Sequence, residues 1–236
     1  MLSCALMWSD VPKTVDFARA GVAWWAMAEK TPDLHAAYAL RTPEDSRRLY
    51  ADWADTYDAD FVASSDYQLH LHAAAGFVAA GGVGPVLDVG AGTGICGEAL
   101  AKAGCGPIDA TDISGEMLAQ SRTKGVYRHL FEADLTLGPP TRDHVYAGVV
   151  SSGTFTTGHV GPDAIENLLP VAAPGAVFAL SINCKHYESA GFAAKLKALE
   201  GQIEGLELRD VPIYGPAATG ENKDDRAFIA VFRKAP

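Results

Sequence analysis

The fifteen residues Val86–Leu100, VLDVGAGTGICGEAL, limit what this chain can fold into more than any other stretch. Val86, Leu87 and Val89 make a short apolar run of the kind that forms a buried strand. Gly90, Gly92 and Gly94 then force a tight turn in a backbone that approaches something closely. From Ile95 the pattern is helical. A strand, a glycine loop and a helix in immediate succession build the crevice at the carboxyl end of an α/β sheet. The glycines can be read in two registers. From Gly92 the sequence is G-T-G-I-C-G, spaced to cradle a pyrophosphate; from Gly90 it is G-A-G-T-G, preceded by the acid Asp88.

The rest of the chain supports the same class. From Pro85 onward, short apolar runs alternate with helical patterns. Strands are expected at Val86–Val89, Pro107–Thr111, Tyr127–Glu132, Val145–Ser151 and Ala176–Ile182. Helices are expected at Ile95–Ala103, Gly115–Lys124, Asp163–Ala172 and Gly191–Leu199. This alternation predicts a parallel sheet with helices on both faces. Two more polar strands, Leu206–Ile213 and Arg226–Arg233, close the chain as an antiparallel edge pair. Before the sheet, between Val11 and His72, apolar and aromatic residues recur at helical spacing, including Trp24, Trp25, Trp53 and Phe61, and predict two or three helices. Thr31-Pro32-Asp33 and Thr42-Pro43-Glu44 look like helix starts, with Thr as N-cap and Pro in the first turn. The chain thus divides into an N-terminal helical extension or lid, residues 1–80, and a sheet domain, residues 81–236.

Three carboxylates choose between the two glycine registers. Asp88 stands where a dinucleotide loop is ordinarily apolar, because a negative charge there repels a pyrophosphate. A ligand bearing a sulfonium and an ammonium reverses that preference, and S-adenosylmethionine is such a ligand. Asp112 ends the second strand, where a carboxylate accepts hydrogen bonds from ribose hydroxyls. Asp134, after the third strand, is suited to the exocyclic amine of adenine, with Leu135 an apolar contact for the ring. An acid after each of three successive strands is a pattern that loop chemistry alone does not explain.

Composition narrows the partners. Acidic residues outnumber basic ones 29 to 19, a formal charge of −10, and no basic cluster marks a phosphate-backbone footprint, so no nucleic-acid partner is expected. Cys4, Cys96, Cys105 and Cys184 form no C-x-x-C pair, and His70 and His72 alone do not make a metal site, so no metal is expected. The N-terminal apolar run is too short for a membrane span and lacks the pattern of a secretory leader. A reduced, cytoplasmic protein without a membrane partner is the expectation, as a monomer or a homodimer.

These residues together resemble the class I S-adenosylmethionine-dependent methyltransferases. VLDVGAGTG is similar to their first motif, ATDISGEML to their second-strand motif and FEADL to their adenine-contacting motif. The resemblance runs from Leu49 to the C-terminus. It implies a Rossmann-like seven-stranded sheet of order 3-2-1-4-5-7-6 with an antiparallel last strand, and S-adenosyl-L-methionine as cofactor. LYADWADTYDADF, VSSGTFTTGHVGP and NCKHYESAGF further resemble the Williams–Beuren syndrome region 27-type branch. That likeness implies that Tyr50 and Tyr57 lie on a helix folding over the cofactor. The implied cofactor set is Tyr50, Tyr57, Asp88, Gly90, Gly92, Gly94, Asp112, Ile113, Met117, Asp134, Leu135 and Ser151. Gly97 reads as a packing glycine on the first helix.

Methyl transfer from a sulfonium is an in-line displacement, and alignment is the main contribution required of the protein. Where the acceptor carries a proton, a base must remove it. The segment after the fourth strand, SSGTFTTGH, faces the reacting atoms in this fold and lacks the N-P-P-Y pattern of base- or glutamine-directed enzymes. His159 is its candidate base, with backbone-bonded loop structure as the alternative. Thr154, Phe155, Asn183, His186 and Tyr187 are candidate acceptor contacts. The expected activity is methyl transfer to a small molecule. Two alternatives stand beside it: a non-catalytic S-adenosylmethionine-binding module, and an NAD(P)-dependent oxidoreductase using Gly92–Gly97.

Overall fold

Every strand of the sheet except its edges is largely buried on both sides, and the sheet is accordingly covered on both faces. The computed structural model describes residues 32–141 and 143–236, and Pro32–Pro236 form one compact unit. The helical reading of residues 11–31 lies outside the described residues. Seven strands follow in chain order: β1 Val86–Val89, β2 Ile108–Asp112, β3 Tyr127–Glu132, β4 Tyr146–Phe155, β5 Ala172–Asn183, β6 Ile203–Pro212 and β7 Arg226–Lys234. They lie in the order β3-β2-β1-β4-β5-β7-β6. β1 pairs in parallel with β2 and β4, whereas β7 runs antiparallel between β5 and β6. The expected order and the antiparallel ending are both present.

The two-residue period of the strands sorts their side chains into two cores. Leu87, Val89, Val149, Phe178, Leu180 and Phe232 pack on one face. They meet Ile165 and Leu168 of α6 (Asp163–Leu168) and Phe192 and Leu196 of α8 (Phe192–Ala198). Val86, Val150, Val177, Ala179, Ile229 and Val231 pack on the other face, against α3 (Leu69–Ala79) and α4 (Ile95–Lys102). Phe77 of α3 is fully buried over Gly148 of β4, where a Cβ would overlap its ring. α5 (Gly115–Thr123) covers β2 and β3.

Upstream of the sheet lie α1 (Leu34–Tyr38), α2 (Pro43–Trp53) and a π-helical turn at Asp58–Ala63. Thr42 caps α2 as expected, its Oγ1 accepting from the Asp45 N–H, with Pro43 in the first turn. The cap of α1 is Asp33 rather than Thr31: its carboxylate accepts from the Ala36 N–H at 2.7 Å. A carboxylate is as good an N-cap as a hydroxyl, and here it sits one residue past Pro32. Two further boundaries differ from the sequence pattern. The helix begun at Asp163 ends at Leu168, passes through a 3-10 turn at Leu169–Val171 containing Pro170, and gives way to β5 at Ala172. A seven-residue helix, α7 (Cys184–Ala190), follows β5 where a loop was expected.

Gly97 has a structural job. A Cβ there would overlap the ring and hydroxyl of Tyr127, which donates to Asp88 at 2.7 Å. Gly→Ala in a helix ordinarily gains about 1 kcal/mol. Here overpacking of about 1–3 kcal/mol and disruption of a buried hydrogen bond oppose it. Gly97→Ala is therefore expected to lower unfolding stability by about 1–3 kcal/mol in urea denaturation; a raised midpoint would contradict the packing role.

Candidate active site

The strand order reverses between β1 and β4, and open α/β sheets bind ligands at the carboxyl ends of the strands flanking such a point. A cavity of about 410 Å³ opens there. Its floor comes from the ends of the first four strands: Gly90 and Gly92 after β1, Asp112 and Ile113 at and after β2, Asp134 and Leu135 after β3, and Ser152 to Thr154 of β4. Its roof comes from the upstream helices, with Arg41, Thr42, Pro43, Ser46, Tyr50 and Tyr57. Met117 of α5 and the loop Gly158–Val160 close the sides.

Each element is held in place by identifiable bonds. Gly90, Gly92 and Gly94 have φ of 63°, 55° and 91°, a region that excludes most side chains. A Cβ on Gly92 would project into open space, so its backbone is the cavity wall, whereas one on Gly90 would overlap Thr154. The Asp112 carboxylate accepts from Gly92 N at 2.8 Å and from Ser114 N at 2.9 Å, which ties the glycine loop to the second strand. Burial raises the Asp112 pKa, and these backbone N–H groups oppose that rise. Each of its oxygens accepts one of these two bonds, and the residue lines the cavity. Asp134 uses Oδ1 to accept from the Thr136 N–H and hydroxyl, at 2.9 and 2.6 Å, which leaves Oδ2 available.

β4 outruns β1 by several residues, and its register against β5 shifts between Ser151 and Phe155. This irregularity, with Gly153 at φ 84°, turns Ser152, Gly153 and Thr154 toward the cavity. Ser151 is fully buried and donates to the Val89 carbonyl at 2.8 Å. After β4 the chain brings His159 against Tyr50 of α2. His159 Nδ1 lies 3.1 Å from the Thr157 carbonyl, which can only accept, so Nδ1 carries the proton. His159 Nε2 is then the acceptor, and the Tyr50 hydroxyl donates to it at 2.7 Å. Burial lowers the His159 pKa, the Thr157 carbonyl opposing, and favours the neutral ring. Burial raises the Tyr50 hydroxyl far above its usual range.

The roof is fastened to the sheet domain beside the glycine loop. Asp58 in the π-helical turn accepts from the Thr93 hydroxyl and from Lys124, which also reaches Glu98. Gln120 donates to Asp55 at 2.6 Å. The carbonyls that end α1 lie against Gly158, where φ is 84° and a Cβ would be crowded. This contact couples α1 to the loop that carries His159.

The structure gathers eleven of the residues singled out from the sequence around this cavity: Tyr50, Tyr57, Gly90, Gly92, Asp112, Ile113, Met117, Asp134, Leu135, Thr154 and His159. It places the others differently. Gly94 caps α4 behind the loop, against Tyr127 and Ser121. Ser151 lies beneath the wall, and Phe155 is fully buried against Phe192, where it lines a smaller adjoining cavity. Asn183 caps α7, accepting from the N–H groups of Lys185 and His186, and also lines that smaller cavity. His186 lies 3.0 Å from the Val160 carbonyl through Nε2, and Tyr187 packs against Phe192 and Phe228. Arg41, Thr42, Pro43, Ser46, Ser152 and Gly153 line the cavity without having been singled out. Thr42-Pro43 signalled a helix start, and nothing in the sequence said where that start would point.

Asp88 also stands off the cavity. The strand period puts it on the side of Val86, fully buried beneath the loop. Its Oδ2 accepts from the Tyr127 hydroxyl, and its Oδ1 has no partner. Burial pushes its carboxyl up to about 7, with the Tyr127 hydroxyl opposing. The sign follows from linkage. The unfolded chain binds the Asp88 proton only below about 3.8, whereas the folded protein keeps it to about 7. The stability it confers is whole at about pH 4 and falls by about 4 kcal/mol as pH rises through 7. Asp88→Asn should flatten this decline in the ligand-free protein; equal acid-to-neutral slopes in urea unfolding for both proteins would contradict it.

Comparison with known proteins adds a domain match and a fold. Residues 86–175 match a family described as "Methyltransferase domain". No curated protein sequence matches the chain. The [4+2]-cyclase SpnF superposes with a TM-score of 0.60 at 19% identity, over 83% of this chain and 98% of that one. Magnesium protoporphyrin IX methyltransferase (ChlM) from Synechocystis PCC 6803, with bound SAM, gives 0.58 at 19% identity, over 84% and 99%. N-methyltransferase NodS from Bradyrhizobium japonicum WM9, in complex with S-adenosyl-L-homocysteine, gives 0.51 at 17% identity, over 71% and 86%. The chain has the Rossmann-like fold of class I methyltransferases, and residues 86–175 carry the methyltransferase domain pattern. No helix among the described residues is long and apolar enough to cross a membrane, and no group of metal-ligating side chains occurs among them.

Proposed function

We propose that the protein is an S-adenosylmethionine-dependent methyltransferase acting on a small molecule. The observation that carries this reading is the Asp112–Asp134 pair around a cavity of about 410 Å³ whose wall at Gly92 is bare backbone. Asp112 has lone pairs for two ribose hydroxyls, Asp134 Oδ2 is available to an adenine amine, and Leu135, Ile113 and Met117 supply apolar surface to the base. The residues therefore fit an adenosyl group. Arg41 is the one lysine or arginine that the cavity lining contains among the described residues, which suits an adenosyl sulfonium better than a pyrophosphate. Asp88, Gly94 and Ser151 hold the loop from behind.

When bound, S-adenosylmethionine supplies a methyl carbon made electrophilic by its sulfonium. The chain's own residues do the rest. The segment of residues 32–64 acts as the lid, with Tyr50 and Tyr57 excluding water above the site. His159, neutral and with its basic nitrogen on the Tyr50 hydroxyl, takes the acceptor's proton through Tyr50. Thr154 and Ser152 present hydroxyls to the acceptor side. The segments around Tyr50, His159 and His186 support the Williams–Beuren syndrome region 27-type branch, and a reduced, cytoplasmic setting suits the cysteine usage.

Incubation of the protein with methyl-labelled S-adenosylmethionine and a metabolite extract tests the reading. Label is expected in one small-molecule product. Label found only in macromolecules, or tight cofactor binding without transfer of label, would overturn it.

A further inference from the structure

Tyr50, Tyr57, Gly153 and His159 line a second, smaller cavity of about 50 Å³ as well as the main one, so the two adjoin at the tyrosine–histidine pair. Beyond that shared wall the inner chamber is mostly aromatic, with Tyr38, Trp53, Phe61, Tyr67 and Tyr214 around it together with the uncharged polar Thr156, Ser181 and Asn183. The rings support one another: Trp53 lies 5.0 Å from Tyr57, Phe61 lies 5.1 Å from Tyr67, and Tyr67 lies 6.1 Å from Tyr214. No lysine, arginine, aspartate or glutamate lines the chamber among the described residues.

Size excludes a ring. A cavity of roughly 150 Å³ takes up benzene, and this one, about 50 Å³, is a third of that, so it admits a group of a few heavy atoms. Charge excludes an anion. No lysine or arginine lines the chamber among the described residues, and carboxylates act on its tyrosines. Asp112 acts on Tyr50 and is held by backbone N–H groups alone. Asp225 acts on Tyr38 and Tyr214, its charge partly offset by the exposed Lys185 at 2.6 Å. Aromatic faces without a competing cation attract small cations, Trp most strongly.

We propose that this inner chamber receives the methyl-accepting end of the substrate, and that this end is a primary aliphatic amine, bound as its ammonium. The inference rests on the methyltransferase reading and names its substrate class. The ammonium gives a proton to the Tyr50 oxygen as the Tyr50 hydroxyl proton passes to His159 Nε2. The freed nitrogen lone pair forms the new N–C bond as the C–S bond breaks, its electron pair staying on sulfur. The products are a methylated ammonium and S-adenosylhomocysteine, and His159 returns its proton to solvent. The competing occupant is an alcohol, since the buried Trp53 indole N–H has no hydrogen-bond partner and would meet an oxygen.

The test is a calorimetric titration of the S-adenosylhomocysteine-loaded protein with methylammonium chloride, methanol and sodium acetate. Methylammonium is expected to bind at least tenfold more tightly than the other two. Trp53→Phe should weaken it about threefold and Trp53→Leu at least tenfold, following the strength of the ring's electron-rich face, with S-adenosylhomocysteine affinity unchanged. Methanol or acetate binding as tightly as methylammonium, no binding of methylammonium, or indifference to Trp53→Leu would overturn the assignment of the chamber. Failure of S-adenosylhomocysteine itself to bind would instead remove the cofactor reading, and this inference with it.

Discussion

Asp112→Ala is expected to weaken S-adenosylmethionine and S-adenosylhomocysteine binding by at least a hundredfold. Two hydrogen bonds to an ionised carboxylate contribute about 1.5–3 kcal/mol each, and about 1.4 kcal/mol is a factor of ten. The substitution also releases the Gly92 and Ser114 N–H groups that Asp112 holds at 2.8 and 2.9 Å, so the loop loses its tether as well. Asp112→Asn should fall between wild type and Ala, because its carbonyl can keep one of these bonds. Calorimetry on protein with an unchanged melting temperature is the measurement. An affinity within threefold of wild type for Asp112→Ala would remove the ribose role.

The second large effect is on turnover. His159→Ala should lower kcat by about 10²–10⁴-fold, the usual contribution of a positioned base, while cofactor affinity stays nearly constant. Tyr50→Phe breaks the 2.7 Å bond but keeps the ring, and should cost a similar factor. Because the two act as one unit, the double variant is expected to be no worse than the poorer single variant. The pH profile carries a sign. Burial lowers the His159 pKa from its ordinary 6.5, so kcat should be level at neutral pH and fall only on the acid side of that value. Multiplicative losses in the double variant, or unchanged turnover in His159→Ala, would sink the proton-transfer role. The product identified by label transfer provides the assay.

Much of the fold was legible in the sequence because its physics is local. Strands buried on both faces read as apolar runs, and the glycine loop could only join a strand to a helix. What escaped had no apolar signature. α7 carries no buried residue at all, so no periodicity marks it, and its start depends on Asn183 capping the chain after β5. The overextended α6 stops because Pro170 cannot continue an α-helix and the chain is captured by β5.

The site divides in the same way. Asp112, Asp134, Gly90 and Gly92 could be placed because each ends or closely follows a strand, and the sheet order brings those ends together. Asp88 sits within its strand, and the two-residue period turns it under the loop toward Tyr127 rather than into the cavity. Its identity as an acid was informative, but its direction was not. Tyr50 and His159 stand 109 positions apart, and no spacing rule joins them. Only the packing of α2 over the end of β4 makes them a pair. Arg41 and Ser46 reach the cavity for the same reason, through a helix start whose direction is set by tertiary contacts.

The central claim is that the cavity between β1 and β4 holds an adenosyl sulfonium rather than a dinucleotide. Calorimetric titration of one protein sample with S-adenosylmethionine, S-adenosylhomocysteine and NAD tests it most directly. Saturable binding of both sulfur compounds at one site per chain, with NAD at least a hundredfold weaker, is the predicted result. NAD binding more tightly than either sulfur compound would contradict the account.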